Sequence, residues 1–306
     1  MTVSRAWFTR VRTSWRGRAV ATVVAVVAVA SAAVPRVIAT TDVGAAPAGR
    51  AVNPRTGTIY VLNSYNDSVD RVAVINPRTN KITTTISFKG TSHSPADLAV
   101  SPVTGDVYVT WYHDGNAGGV TVISGRTNKI IAALPFRSPS SGVVSPVNGD
   151  FYLANPRTNG HNSLAVINGG KVIATVGVPR AGSVTTISPL TGAIYIAGGK
   201  TVTVISGHTN KVVATVAVSR NLNMPMAVSP VTGKVYLENG GCVRESVCTG
   251  TVTVISGQTS KIIGAVRLPT PGQEITVSPT TGDTYLLRPE NAGNDALPYL
   301  LEVLSD

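Results

Sequence analysis

The sequence predicts an all-β fold, a β-propeller of six four-stranded blades, and three observations predict it. A short phrase recurs six times: NPRTGTIYV (53–61), SPVTGDVYV (101–109), SPVNGDFYL (145–153), SPLTGAIYI (188–196), SPVTGKVYL (229–237) and SPTTGDTYL (278–286). A second phrase follows each of the first five copies: VAVINPRTNKITTTI (72–86), VTVISGRTNKIIAAL (120–134), LAVINGGKVIATV (164–176), VTVISGHTNKVVATV (202–216) and VTVISGQTSKIIGAV (252–266). The third observation is the abundance of Val, Thr and Ile, residues that fit a pleated, half-buried surface, with no helical apolar period of useful length.

Each unit reads as four strands in order. The first is the apolar run before Ser-Pro, such as Leu98–Val100, and a tight Pro/Gly turn leads to the second, such as Val107–Val109. Proline presets φ at such a corner and glycine supplies the positive φ. The third strand is Val120–Ile123, and a Thr-Asn-Lys turn leads to the fourth, Ile130–Leu134. Start-to-start steps of 48, 44, 43, 41 and 49 residues match the spacing of propeller blades. The sixth unit offers Tyr299–Leu304 as a third strand and then ends at Asp306. Residues Arg36–Val43 match the fourth strand Lys171–Val178, so the N-terminal strand is expected to complete the last blade and close the ring, removing exposed sheet edges.

Ahead of the repeats lies an export signal. Five arginines and no acid occupy residues 1–18, followed by the apolar run Ala19–Ala30 and the small-residue site Ala30-Ser31-Ala32. This is the pattern of a secretory signal peptide over 1–32, with a retained membrane anchor as the alternative. The expected domains are therefore the cleaved signal and a single propeller over 33–306, secreted or at the cell surface. The formal charge of +11 includes the signal's five arginines; the remainder carries 21 basic and 15 acidic residues, a net +6. In an oxidising compartment Cys242 and Cys248, the only cysteines, read as a local disulfide.

The Tyr60-Val61-Leu62-Asn63 and Tyr108-Val109-Thr110-Trp111 segments, with the Thr-Asn-Lys turns, resemble YVTN-type β-propeller repeats, and the resemblance covers residues 36–306. It implies a secreted or surface-associated propeller. Members of that family typically have seven blades, where this chain offers six units.

In such a fold the 1–2 and 3–4 turns share one face and the 2–3 loops share the other with the connections between blades. The first face is uniform here. The second is varied, at Ser64–Asp70, Tyr112–Gly119, Asn155–Asn162, Asn239–Gly250 and Arg288–Pro298, and variable loops on a rigid scaffold commonly carry function. Lys89, Arg137, Arg180 and Arg220 recur where fourth strands leave toward the next blade, an arrangement suited to carboxylate or phosphate groups. Tyr65, Trp111 and Tyr112 offer aromatic surface for a sugar or base. His93 and His113 join Asp114 on the same face but lack fixed ligand spacing, so no metal is expected. No G-x-S-x-G, H-E-x-x-H, Walker or haem-attachment motif occurs. The expectation is a non-enzymatic, monomeric, cofactor-free protein binding an anionic ligand or an extracellular protein or glycan. A hydrolase or lyase at the channel mouth and a polyanion or nucleic-acid binder are the alternatives.

Overall fold

The structure is a computed structural model and describes residues 37–63, 69–89, 94–113, 117–137, 139, 142–158, 161–178, 184–222, 225–244, 247–290 and 299–305. Residues Ala39–Asp306 form one compact unit. Its elements are all strands. The first sheet holds β1 (Pro47–Val52), β2 (Ile59–Asn63), β3 (Val69–Asn76) and β4 (Lys81–Lys89), in that spatial order. The second repeats the order with β5 (Ser94–Val100), β6 (Val107–His113), β7 (Ala117–Ile123) and β8 (Ile130–Arg137), and the third with β9 (Gly142–Val144), β10 (Phe151–Thr158), β11 (His161–Asn168) and β12 (Lys171–Gly177).

The fourth sheet departs from this plan, with β13 (Val184–Ile187), a 13-residue β14 (Ile194–Ser206) and β15 (Lys211–Leu222). The Ile194–Ala197 half of β14 pairs with β13, and its Gly199–Ser206 half pairs with β15. The pivot is Gly199 at φ 61°. The fifth sheet comprises β16 (Met226–Val228), β17 (Val235–Glu238), β18 (Gly241–Arg244), β19 (Val247–Ile255) and β20 (Ile262–Leu268), with β18 and the start of β19 forming an extra hairpin. The sixth has three strands: β21 (Glu274–Val277), β22 (Thr284–Pro289) and β23 (Tyr299–Leu304).

First strands of successive sheets are neighbours, from β1 through β5, β9, β13 and β16 to β21, as in a propeller. Five mixed cores join the sheets, each formed by the tyrosine-bearing face of one and the opposite face of the next. Tyr60 and Leu62 meet Val107 and Val109; Tyr108 meets Phe151 and Leu153; Tyr152 meets Ile194 and Ile196; Tyr195 meets Val235 and Leu237; Tyr236 meets Leu286. Third strands are buried on both faces at their centres, which explains near-continuous runs such as Val120–Ile123.

Among the described residues a sixth core is present only as two unjoined halves. Tyr285 pairs with Val303 and Leu287 with Leu301, and these four share one face. Leu301 and Val303 are 61% and 54% exposed. Across the seam, Ile59 and Val61 of the first sheet are only half-buried, although their counterparts in the next sheets, such as Val107 and Val109, are buried.

The expected pairing of Arg36–Val43 with the last blade is not formed among the described residues. The chain over 37–44 is not a strand. Thr41 donates through Oγ1 to the Asn80 carbonyl, and the Val43 carbonyl accepts from Asn63 Nδ2 at 2.8 Å, both in the first sheet. The Asp42 carboxylate accepts the Gly44 amide at 3.0 Å, a local Asx bond that competes with ladder pairing. Gly44 at φ 102° and Ala46 at φ 48° then turn the chain.

A β-bulge recurs just before each 3–4 turn, at Val74/Ile75, Val122/Ile123, Val166/Ile167, Val204/Ile205 and Val254/Ile255. Each leaves one residue of the outer strand without a facing partner: Thr83, Ile131, Ile173, Val213 or Ile263. The last four are among the most exposed apolar side chains of the unit. Bulges of this kind twist an edge away from further pairing.

Candidate functional site

The two ends of the sheets differ in chemistry. At the short-turn end the repeated Ser-Pro-x-x-Gly phrase is a structural device. Ser101, Ser145, Ser188 and Ser229 are buried. Each hydroxyl accepts the amides two and three residues on, at 3.1–3.3 Å, a local serine turn. Tyrosines reach from one sheet to the next: Tyr60 donates to Asn128 Oδ1 at 3.3 Å and Tyr152 to Asn210 Oδ1 at 3.1 Å. Asn80, Asn128 and Asn210 all sit near φ 53–54°, a left-handed conformation that asparagine tolerates better than most residues. The serines and the Tyr60–Asn128 and Tyr152–Asn210 pairs at this end serve the fold.

The opposite end carries the long 2–3 connections, and a buried polar group lies there between the fifth and sixth sheets. Glu238, the last residue of β17, is completely buried. Its Oε1 accepts the Gly272 amide at 3.0 Å, the Gly240 amide also bonds the carboxylate, and Oε2 has no partner among the described residues. Burial pushes its pKa up to about 7, and the two amides only partly oppose this. Beside it Asn239 is buried and accepts from Thr253 Oγ1 at 3.0 Å. Arg288 of β22, also buried, donates through Nε to Glu302 at 2.9 Å and through Nη1 to Thr270 Oγ1 at 3.3 Å.

Glycine makes room for this cluster. A Cβ on Gly240 would stand 2.7 Å from Glu238 Oε1, and one on Gly250 3.0 Å from it. The sequence reading missed Glu238, although the aligned repeats carry a signal. The same position holds Leu62, Thr110, Ala154, Ala197 and Leu287 in the other units, so one acid replaces apolar or small residues.

The sequence-predicted residues fall as follows. Lys89 and Arg137 end β4 and β8, paired in register with Val69 and Ala117. They thus occupy equivalent places on outermost strands at the long-loop end, and the Arg137 side chain is exposed. Arg220 lies within β15. Trp111 and Tyr112 lie near the end of β6, half-buried and exposed respectively, and His113 follows them. Tyr65, His93, Asp114 and Arg180 lie outside the described residues. Cys242 and Cys248 are partners in the β18–β19 register. Among the described residues no group of three or more His, Cys, Asp or Glu forms a metal-binding cluster.

No sequence-family model matches the chain, and no curated protein matches it. Solved structures do. The dihydro-heme d1 dehydrogenase NirN in complex with DHE is similar at a TM-score of 0.60 and 16% identity, over 84% of this chain and 54% of that one. The Dos1 propeller is similar at 0.57 and 11%, over 78% and 65%. Hydrazine synthase of Kuenenia stuttgartiensis is similar at 0.50 and 18%, over 67% and 60%. The chain thus spans between about half and two thirds of each solved chain. At these identities the likeness shows a β-propeller fold. It also corrects the expectation of a non-enzymatic protein: a dehydrogenase and a synthase share this scaffold, and propellers can assemble reactive groups from separate blades without any short motif.

Proposed function

We propose that this chain is an exported, YVTN-type propeller that binds its ligand or partner on the long-loop end of the sheets. The observation that carries the reading is the asymmetry of the two ends. The short-turn end uses its serines, asparagines and tyrosines to hold the fold together, whereas the other end varies from sheet to sheet and carries Trp111, Tyr112, Lys89 and Arg137. An anionic small molecule or an extracellular protein or glycan fits that chemistry. Export rests on the signal-like segment over 1–32, and a Cys242–Cys248 disulfide would accord with it.

The same reading includes a closed ring of six blades. The unjoined halves of the sixth core are complementary in chemistry, and the strand-four sequence at 36–43 supplies the missing outer edge. A second reading, catalysis at the same end, is supported by the enzymes among the similar propellers.

A thermal-shift screen of residues 33–306 against polyanions, cell-wall glycans and small carboxylates tests the binding site. A ligand at about 100 times its dissociation constant adds roughly 2.7 kcal/mol. The expected hit is lost in the Arg137→Ala/Arg180→Ala/Arg220→Ala variant. A hit that survives this variant and Trp111→Ala/Tyr112→Ala would move the site elsewhere. A hit that falls steeply with salt favours a polyanion, through counterion release.

A further inference from the structure

The chain crosses from the fifth sheet to the sixth through residues 269–273, and this crossing is pinned from both sides. From the fifth sheet, Glu238 Oε1 accepts the Gly272 amide at 3.0 Å. From the sixth, Arg288 Nη1 donates to Thr270 Oγ1 at 3.3 Å, while Thr270 Oγ1 itself donates to the Pro289 carbonyl at 2.6 Å. Glu238 is fitted closely: a Cβ on Gly272 would lie 3.1 Å from its Cγ. Its second oxygen has no partner among the described residues.

The charges around this carboxyl are few. Arg288 on β22 is engaged by Glu302 of β23. Arg267 on β20 and Glu274 at the start of β21 are exposed. Neither β16 nor β19 carries a charged residue, and the β18 hairpin contributes Arg244 and Glu245 in sequence. The second pin is an arginine, which stays charged throughout the physiological range.

We propose that Glu238 is a proton-operated latch on this crossing: the neutral carboxyl keeps residues 270–272 shut over the long-loop end of the fifth and sixth sheets, and ionisation favours a locally opened state in which the carboxylate reaches water. The direction follows from linkage. Burial holds the pKa near 7 in the closed state, and a solvated carboxyl returns to its ordinary range. The closed state therefore binds the proton more tightly, and opening becomes easier as pH rises between those two values.

Amide hydrogen exchange of the segment containing Gly272, measured on the exported chain between pH 5 and pH 8 and corrected for intrinsic chemistry, tests this. The opening equilibrium is expected to rise roughly 70-fold over that range. Glu238→Gln flattens the dependence while leaving exchange in the first three sheets unchanged. Should that variant fail to fold, carbon-13 titration of the wild-type Glu238 carboxyl decides: an apparent pKa near 7 supports the latch. A pH-independent opening, an unchanged slope in Glu238→Gln, or a carboxyl titrating in the ordinary range overturns it.

Discussion

Tyr60 donates its phenolic hydroxyl to Asn128 at 3.3 Å, so the second strand of one sheet is fastened to the 3–4 turn of the next. The bond gives the repeated Tyr and Asn a common purpose across 68 residues. Where the turn changes, the fastening is lost. The third sheet replaces Thr-Asn with Gly169-Gly170, and the fifth carries Ser260 in place of Asn. The tyrosines that reach toward them, Tyr108 and Tyr195, have buried hydroxyls with no partner among the described residues. Tyr108 is compensated in part by stacking on Phe151, with centroids 4.6 Å apart and planes 6° from parallel.

Ser260→Asn should therefore stabilise the protein. The residue already holds φ 53°, the value of Asn128 and Asn210, and its side chain would offer Tyr195 an acceptor. A gain of about 1 kcal/mol is expected in chemical denaturation. Tyr195→Phe in the same background should cancel the gain. A Ser260→Asn variant no more stable than wild type would show that the hydroxyl finds no partner there.

Asn128→Ala should cost about 2 kcal/mol, because it removes the acceptor of the Tyr60 hydroxyl, leaving that hydroxyl its bond with Asn53, and places a Cβ-bearing residue without a local hydrogen bond at positive φ. Asn210→Ala should cost less. Tyr152 also lies 3.4 Å from the Gly207 carbonyl and keeps an acceptor. Equal losses in the two variants would contradict this account.

The stability of the whole domain should fall as pH rises toward neutrality, independently of any local opening. Glu238 has its pKa raised from 4.5 to about 7, so its contribution is complete below about pH 4.5 and is lost as pH rises through 7. The full swing is of order 3 kcal/mol. Glu238→Leu, which installs the residue found at position 62 in the first sheet, should remove the swing. Thermal melts at pH 5 and pH 8 report it.

Closure of the ring, as proposed above, would place Tyr285 beside the turn that holds Asn80, a third Tyr–Asn fastening after Tyr60–Asn128 and Tyr152–Asn210. Cysteines introduced at positions 285 and 80 should react with a short bifunctional thiol reagent to give one intramolecular cross-link. Deleting residues 36–43 should lower both the cross-linking yield and the melting temperature. Full cross-linking in the truncated chain would show that the sheets close without the N-terminal strand.

A Cys242–Cys248 disulfide, as proposed above, would be a local brace. A loop of seven residues from Cys242 to Cys248 contributes about 2 kcal/mol in the chain-entropy model. Reduction should raise hydrogen exchange in the β18–β19 hairpin and leave the first three sheets unchanged. Global unfolding on reduction would assign the bridge a far larger role.

Much of the fold was legible because the repeat is written in residues with strict backbone demands. The glycines of Ser-Pro-x-x-Gly, such as Gly105 at φ 80°, and the asparagines of Thr-Asn-Lys mark the turns, and the strands follow between them. The merged β14 was not legible, since nothing before Gly198-Gly199 distinguishes a bend from a longer loop. The course of the N-terminal segment was not legible either, since a match in strand-forming residues says nothing about the Asx bond from the Gly44 amide to Asp42. Glu238 escaped for a different reason. A lone acid in a strand reads as solvent-facing, and its burial depends on Gly240, Gly250 and Gly272, which converge only in three dimensions.

Six sheets joined by five cores behave as a linear stack, in which each sheet interacts only with its neighbours. The first and last sheets are held through one face and every other sheet through two, so unfolding starts at the ends and unzips inward. Joining Tyr285 and Leu287 to Ile59 and Val61 would abolish the distinction between ends and middle. No sheet could then peel away without breaking two cores at once, and a gradual melt would sharpen into a single cooperative transition.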